Sequence, residues 1–289
     1  MIGQVELSAI VISYHGRQHL PDCLGSLIGS LSDIGHEVIV VDNGSTDGSL
    51  EFIRENYPEI KVIDNGRNIG FARAVNRGIE ASSGKYMYIL NQDLKFESDS
   101  TRLLLDRLKE EEDIGLVGPS YWSFEGELLP SARAFPTFRH VVYSTLFLDR
   151  SFPKHQELAS WRMGWFDHRA EMYADQPMGA AMMIPRAVIG RVGRLDESFP
   201  LFFNDVDFCK RLAIVGLKRL YYPAAKVYHH VGGSTRKVPY QKIVQSHQSM
   251  SRYLWKYSRW YEYPLTCLSS LLLGLGMVTR ALARVIGTK

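Results

Sequence analysis

Residues 84 to 94, GKYMYILNQDL, run from an apolar stretch straight into Asn91-Gln92-Asp93, and the chain is charged again at Lys95. An amide, an amide and a carboxylate ending a buried-looking segment admit two chemistries. Asn and Asp are favoured in turns because their short side chains bond the nearby backbone. A carboxylate there is equally a ligand for a hard divalent cation, which prefers oxygen. Polar groups end three other apolar runs as well: Ser13-Tyr14 after SAIVIS, Asp42-Asn43 after HEVIVV, and Asn65 to Asn68 after IKVID. Any one of these reads as a loop, but four along a common edge point to a site.

The elements that must carry these groups alternate. SAIVIS (8–13) is a short β-branched strand, followed by a helical pattern from Leu20 to Leu31. HEVIVVDNGSTDGS is a second buried strand breaking into a Gly/Ser/Asp loop, with Asp47 placed to cap the helix bearing Leu50, Phe52 and Ile53. IKVID is a third strand, GFARAVNRGIEASSG a helix closed by Gly84, and KYMYIL a fourth strand. Repeated βα units imply a mostly parallel sheet covered by helices, and ligands of such sheets bind beyond the carboxyl ends of the strands. After IGLVGP (114–119) the regularity fades, and residues 120 to 175 are aromatic and irregular. It returns with GAAMMIP (179–185), the helical NDVDFCKRLAIVG, and the strand-like KRLYYP and KVYHH.

Composition sets the class. The 289 residues are 45% hydrophobic and 22% charged, enough for a sizeable core. A net charge of +3 gives no argument for nucleic acid, and no such partner is expected. Cys23, Cys209 and Cys267 share no metal-like spacing and fit a reducing, cytoplasmic compartment. No signal peptide is read at the N-terminus, and the charge-free run 265–279 falls short of a bilayer-spanning helix.

Taken in order, AIVISYHG, EVIVVDNGSTDGS, NIGFARAVNRGI, YILNQDL, GAAMMIPRAVIGRVGRLDESFPLFFNDVDFCKRL and KVYHHVGGST resemble the family-2 glycosyltransferases, and within them the bacterial rhamnosyltransferases of cell-wall and O-antigen synthesis. The resemblance implies an α/β GT-A fold, a nucleotide-sugar donor (dTDP- or UDP-linked), a divalent metal (Mn2+ or Mg2+) and inversion at the anomeric carbon. On that reading Asp42 or Asn43, with backbone near Ser13 and Tyr14, meets the pyrimidine base. Asn68 and Gly70 precede a helix N-terminus suited to phosphate or ribose. Arg73, in the first turn of that helix, faces the pyrophosphate or remains a solvated surface residue. The resemblance makes Asp93 a metal ligand and Asn91 a ribose or phosphate contact. The family's first Asp at this point is missing, and Gln92 stands where this branch has Pro. Asp205 matches the family's general base, which takes the proton of the acceptor hydroxyl; by structure alone it is a helix N-cap, with Asp207 a first-turn partner of the dipole. His229 is expected to complete the metal site, and GGST (232–235) reads as a loop able to close over the donor.

The division expected is residues 1–238 as the GT-A domain (1–119 binding nucleotide, 120–238 carrying acceptor and catalytic groups) and 239–289 as a helical appendage. In the tail, Leu268, Leu271, Leu272, Leu275, Val278, Leu282 and Ile286 share a face, opposite Ser269, Ser270, Arg280 and Arg284, and Leu273 breaks the pattern. It reads as an interfacial helix on the cytoplasmic face of the inner membrane, or as a helix docked on the domain or on a homodimer seam. The leading function is transfer of L-rhamnose from dTDP-rhamnose to a glycan or polyprenyl-linked acceptor. The alternatives are a UDP-hexose or UDP-galactofuranose donor, or a non-catalytic glycan-binding scaffold.

Overall fold

The computed structural model describes residues 5–230 and 239–286, and side chains for 5–230 and 242–280. The βα alternation forms as expected: β1 (Leu7–Ser13), α1 (Leu20–Ser30), β2 (His36–Asp42), α2 (Ser49–Asn56), β3 (Lys61–Asp64), α3 (Phe71–Ala81) and β4 (Tyr86–Asn91). There follow β5 (Leu94–Phe96), α4 (Ser100–Glu110) and β6 (Ile114–Trp122). The irregular stretch holds two-residue strands β7 (Leu128–Leu129) and β8 (Ala132–Arg133), helices α5 (Phe138–Thr145) and α6 (Leu148–Ser151), and strands β9 (Met172–Tyr173) and β10 (Gln176–Pro177). The chain closes with β11 (Ala181–Pro185), α7 (Arg186–Val192), α8 (Asn204–Ile214), β12 (Lys218–His229), α9 (Pro239–Tyr257) and α10 (Tyr263–Ile286).

The main sheet runs β3-β2-β1-β4-β11-β6-β12-β5. Strands β1 to β4 are mutually parallel, β6 pairs parallel with β12, and β11 is antiparallel to both β4 and β6. Period-two alternation in the strands splits the core into two layers. Ala9, Val11, Val40, Tyr88 and Leu90 pack with Leu24 and Leu27 of α1 and Leu104 and Leu108 of α4. Ile10, Ile12, Ile39, Val41 and Ile89 pack on the other face with Val75 of α3 and Phe208 and Leu212 of α8. Both faces are buried, which is why the strands read as continuous apolar runs.

Two local expectations change. Helix α3 ends at Ala81, and Gly84 serves β1 instead: its N–H donates to Ser8 Oγ at 2.8 Å, where a Cβ would lie 2.6 Å from that oxygen. The N-cap of α2 is Gly48 in a left-handed conformation, while Asp47 Oδ1 accepts the Ser49 N–H (3.3 Å) and hydroxyl (2.6 Å) from one position further out.

The C-terminal helices pack on the domain. Leu273 of α10 joins Met250, Tyr253 and Leu254 of α9, Val141 of α5, and Phe199 and Val206 in one cluster. The α9–α10 seam is made of hydroxyls, Ser251 to Ser270 at 2.8 Å and Ser258 to Thr266 at 2.6 Å, with Thr266 and Ser269 buried. The leucine face points the other way: Leu268, Leu271, Leu275 and Val278 are 49%, 67%, 63% and 51% exposed. The expected polar face is therefore the docked one, and Leu273, the apparent misfit, is the anchor. Among the described residues no helix is long and apolar enough to cross a membrane.

Candidate functional site

The sheet delivers the polar strand ends to one edge. Asp93 lies between β4 and β5, is 4% exposed, and its carbonyl accepts the His230 N–H at 3.0 Å. Pairing of β5 with β12 sets His229 opposite Leu94, so that His229 Nε2 lies 3.5 Å from Asp93 Oδ1. Neither Asp93 Oδ1 nor His229 Nδ1 has a hydrogen-bond partner, although both are buried. A buried carboxylate oxygen left without a donor is costly unless something else satisfies it. A carboxylate oxygen and an imidazole Nε2 3.5 Å apart are atom types that a divalent cation takes as ligands. Among the described residues no cluster of three or more such groups forms.

Gln92, expected as Pro in the branch the chain resembles, has a structural task. Its Oε1 accepts the Tyr14 N–H at 2.8 Å and its Nε2 donates to the Tyr14 carbonyl at 2.9 Å. This two-point amide pairing ties the end of β1 to the end of β4. Gly16 is required beside it, because a Cβ there would overlap the Gln92 amide. The Tyr14 backbone is thereby engaged and not open to a base. At the same edge Asp42 is fully buried: Oδ1 accepts the N–H groups of Gly44 (2.9 Å) and Ser45 (2.7 Å), and Oδ2 the Ser45 hydroxyl (2.6 Å). Asn43 Oδ1 accepts from Asn65 at 2.9 Å, and its Nδ2 donates to the Gly70 carbonyl at 3.3 Å. Asp42 is committed to its own turn, and Asn43 to the loop between β3 and α3. The buried Ser13 hydroxyl, by contrast, forms no hydrogen bond.

The start of α3 departs from expectation. Pro200 O accepts the Phe71 N–H at 2.6 Å, so the helix end expected to receive phosphate is capped by the 195–203 loop. Gly70, at φ +89°, lets that loop approach, since a Cβ would sit 3.2 Å from Pro200. Asn68 Oδ1 accepts the Gly70 N–H at 2.9 Å, and Arg73 Nε pairs with Glu197 at 2.8 Å on the surface. The solvated reading of Arg73 is the one its geometry supports.

Asp205 sits in the first turn of α8 but is not its N-cap; that position is Phe203, at φ +69°. Asp205 Oδ1 accepts the Val206 N–H (2.9 Å), and Oδ2 accepts Gln176 Nε2 (2.7 Å) and the Gly179 N–H (3.1 Å). Burial raises its pKa above the usual carboxylate value, against the pull of those three donors. Asp207 is fully buried and saturated by Arg211 (2.9 Å), Lys256 (2.6 Å) and Tyr257 (2.7 Å), a structural hub rather than a second candidate base. Asn204 donates to Leu201 O at 2.8 Å and holds the preceding loop.

The segment entering β11 brings these groups together. Gly179 touches Asp205, and Ala180 O accepts the Asn91 N–H at 2.9 Å, so base candidate and Asn91-Gln92-Asp93 flank adjacent residues. Tyr121 stands between them, its ring 5.6 Å from that of His229 and its hydroxyl accepting the Ala181 N–H at 2.7 Å, within electrostatic reach of Asp205. Sequence reasoning notes Gln92 only as an oddity of its motif, gives Gly179 no role within GAAMMIP, and passes over Gln176 and Tyr121. GGST (232–235) lies outside the described residues.

Residues 8–166 match the family model described as Glycosyl transferase family 2. The chain is 28% identical over 300 residues to N-acetylglucosaminyl-diphospho-decaprenol L-rhamnosyltransferase of Mycobacterium tuberculosis, covering 96% of this chain and 94% of that one. The mannosyltransferase PcManGT of Pyrobaculum calidifontis, solved with GDP-Man and Mn2+, superposes with a TM-score of 0.59 at 15% identity, over 98% of this chain and 76% of that one. GalNAc-T7, solved with UDP, GalNAc and Mn2+, gives 0.58 at 15% identity over 78% of this chain and 44% of that longer one. At such identities these likenesses speak for the fold, which is GT-A. With a family match spanning more than half of its residues, the chain belongs to glycosyltransferase family 2.

Proposed function

We propose that the protein is an inverting transferase that moves L-rhamnose from dTDP-rhamnose to a hydroxyl of a glycan or polyprenyl-linked acceptor. The observation that carries this reading is the convergence on the start of β11 of a pKa-raised carboxylate, Asp205, with the orphaned Asp93 Oδ1 and His229. Asp205 is the general base. A raised pKa makes it a better proton acceptor at working pH, and Oδ1, bonded only to Val206 N–H, is the oxygen free to take the acceptor's proton. Asp93 and His229 are the residues that hold a divalent cation, with Asn91 on the donor's ribose or phosphate. When bound, Mn2+ or Mg2+ neutralises the charge of the leaving diphosphate. The choice of rhamnose rests on the mycobacterial relative, which aligns along nearly its whole length. The exposed leucines of α10, beside exposed Trp260, Tyr261 and Tyr263, suit a protein resting on a lipid surface at the cytoplasmic face.

The test is a thermal-shift panel of dTDP-, UDP- and GDP-sugars with and without manganese, followed by donor hydrolysis. A ligand that binds only the folded state raises its melting point. Selective stabilisation by dTDP-rhamnose with slow metal-dependent hydrolysis is expected. A larger shift with UDP-hexose or UDP-galactofuranose would replace the donor, and binding without any hydrolysis would favour a scaffold.

A further inference from the structure

A recess of about 670 Å³ opens between α5, α6, α9 and α10. Its lining is largely apolar, with Val141, Trp161, Phe203, Met250 and Leu272, yet it also holds three guanidinium residues, Arg150, Arg162 and Arg280. Burial, then Arg150 and Arg162, lower the Arg280 pKa, so these charges feel one another. Among the described residues Asp149, next to Arg150 though not in the lining, opposes them and is bonded to Arg162 Nε at 3.0 Å. Arg280 Nη1 meets only an imidazole, His247 Nε2, at 3.1 Å. Arg150 and Arg280, both exposed at the rim, have no carboxylate partner among the described residues, which leaves two unpaired positive charges at the mouth of an apolar recess. That is the charge of a diphosphate esterified at both ends, and guanidinium is the side chain best matched to phosphate oxygens.

The two ends of the recess extend the match. At one end Phe203 directly precedes the helix that carries Asp205, and Trp161 lies 5.8 Å from the Arg162 guanidinium and 5.9 Å from that of Arg133. Arg133 in turn senses both Asp205 and Arg162. At the other end Leu275 and Thr279 belong to α10, whose exposed leucine face continues outward.

We propose that this recess binds the diphosphate of a lipid-linked acceptor: Arg150, Arg162 and Arg280 hold the diphosphate, Met250, Leu272 and Leu275 take the first apolar segment of the lipid, and Trp161 and Arg133 line the way to Asp205 for the acceptor sugar. The inference rests on the transferase reading above and assigns that reaction its acceptor site.

The experiment titrates the full chain with geranylgeranyl diphosphate, inorganic pyrophosphate and geranylgeraniol, reading tryptophan fluorescence, in wild type and in the double variant Arg150→Gln/Arg280→Gln. Wild type is expected to bind geranylgeranyl diphosphate at least about tenfold more tightly than either fragment, and the double variant to lose at least about tenfold. Binding of dTDP is expected to be the same in both. Thr279→Trp, which fills the recess from an exposed position, is an independent block and is expected to weaken the same probe as much, should the double variant not fold. Equal affinity for pyrophosphate, equal affinity for geranylgeraniol, or unchanged binding in both variants would overturn the proposal. Lipid binding with no dTDP binding in wild type would instead overturn the donor reading and leave the recess standing.

Discussion

Gly179→Ala tests the centre of the site without touching a charge. Gly179 has no left-handed backbone conformation to lose, so alanine is sterically acceptable to the chain itself. The new methyl, however, would lie 2.5 Å from Asp205 Cβ and 2.8 Å from its Oδ2. Carbon–carbon contacts settle near 3.5–4 Å, so the carboxylate must retreat by about 1 Å. That displacement breaks the 3.1 Å bond from Gly179 N–H and disturbs the 2.7 Å bond from Gln176. A 1 Å misplacement of a reacting group costs about 100-fold in rate, and overpacking of this kind costs ~1–3 kcal/mol of stability. The assay is initial-rate rhamnosyl transfer beside dTDP binding and a thermal melt, with Gly190→Ala as control. No atom lies within 4 Å of a Cβ at the exposed Gly190, so that variant is expected to be neutral or slightly stabilised. A folded Gly179→Ala protein with kcat within about threefold of wild type would refute the placement of Asp205 at the reacting centre.

Asp93→Asn, titrated calorimetrically with manganese at saturating dTDP, is expected to lose most of the metal affinity and about 100-fold or more in rate; equal affinity and turnover would return Asn91-Gln92-Asp93 to turn chemistry. Gln176→Leu removes a donor that stabilises ionised Asp205, so the folded pKa rises further and the acid limb of the pH–rate profile moves to higher pH; an unmoved limb would show that Asp205 does not govern it. Linkage gives the sign for stability: the raised folded pKa of Asp205 means its contribution is present below the unfolded pKa and is lost as pH rises through the folded value, a trend absent from denaturant melts of Asp205→Asn. Asp207→Ala removes the buried carboxylate that joins Arg211, Lys256 and Tyr257, although Lys256 keeps Asp196 and Arg211 keeps the carbonyls of Val192 and Arg194, and is expected to destabilise by ~1–3 kcal/mol, read from urea unfolding. Leu268→Gln with Leu271→Gln is expected to abolish sedimentation with anionic vesicles at an unchanged melting point, whereas deleting α10 uncovers the Val141–Met250–Tyr253 cluster and lowers it.

The chain's periodicities were enough to place β1 to β4 and their helices, because each rests on local apolar spacing. The carboxylates Asp93 and Asp205 were visible as motif members. What they touch was not, since the Gln92 pairing with Tyr14 and the fit of Gly179 against Asp205 join residues far apart in sequence. The partner of the α3 N-terminus was hidden for the same reason: Pro200, well over a hundred positions away, supplies the cap. In α10 the wheel gave the stripes but left open which one meets the domain; hydroxyl pairing with α9 settles the serine side inward.

The pairing of β5 with the end of β12 places Asp93 and His229 in a shared ladder, although nearly half the chain lies between them. Their spacing is thus held by backbone hydrogen bonds and strand register, with an irregularity between Tyr222 and Lys226 taking up slack upstream. The short, irregular segments between Ser123 and Ala170 lie outside the main sheet except for β7, so they can lengthen, shorten or change composition without shifting the register of Asp93 and His229. A lineage built this way can exchange one acceptor for another by rewriting the 123–170 stretch while its donor chemistry stays in place, whereas one residue inserted in β12 after the bulge would turn His229 to the opposite face of the sheet.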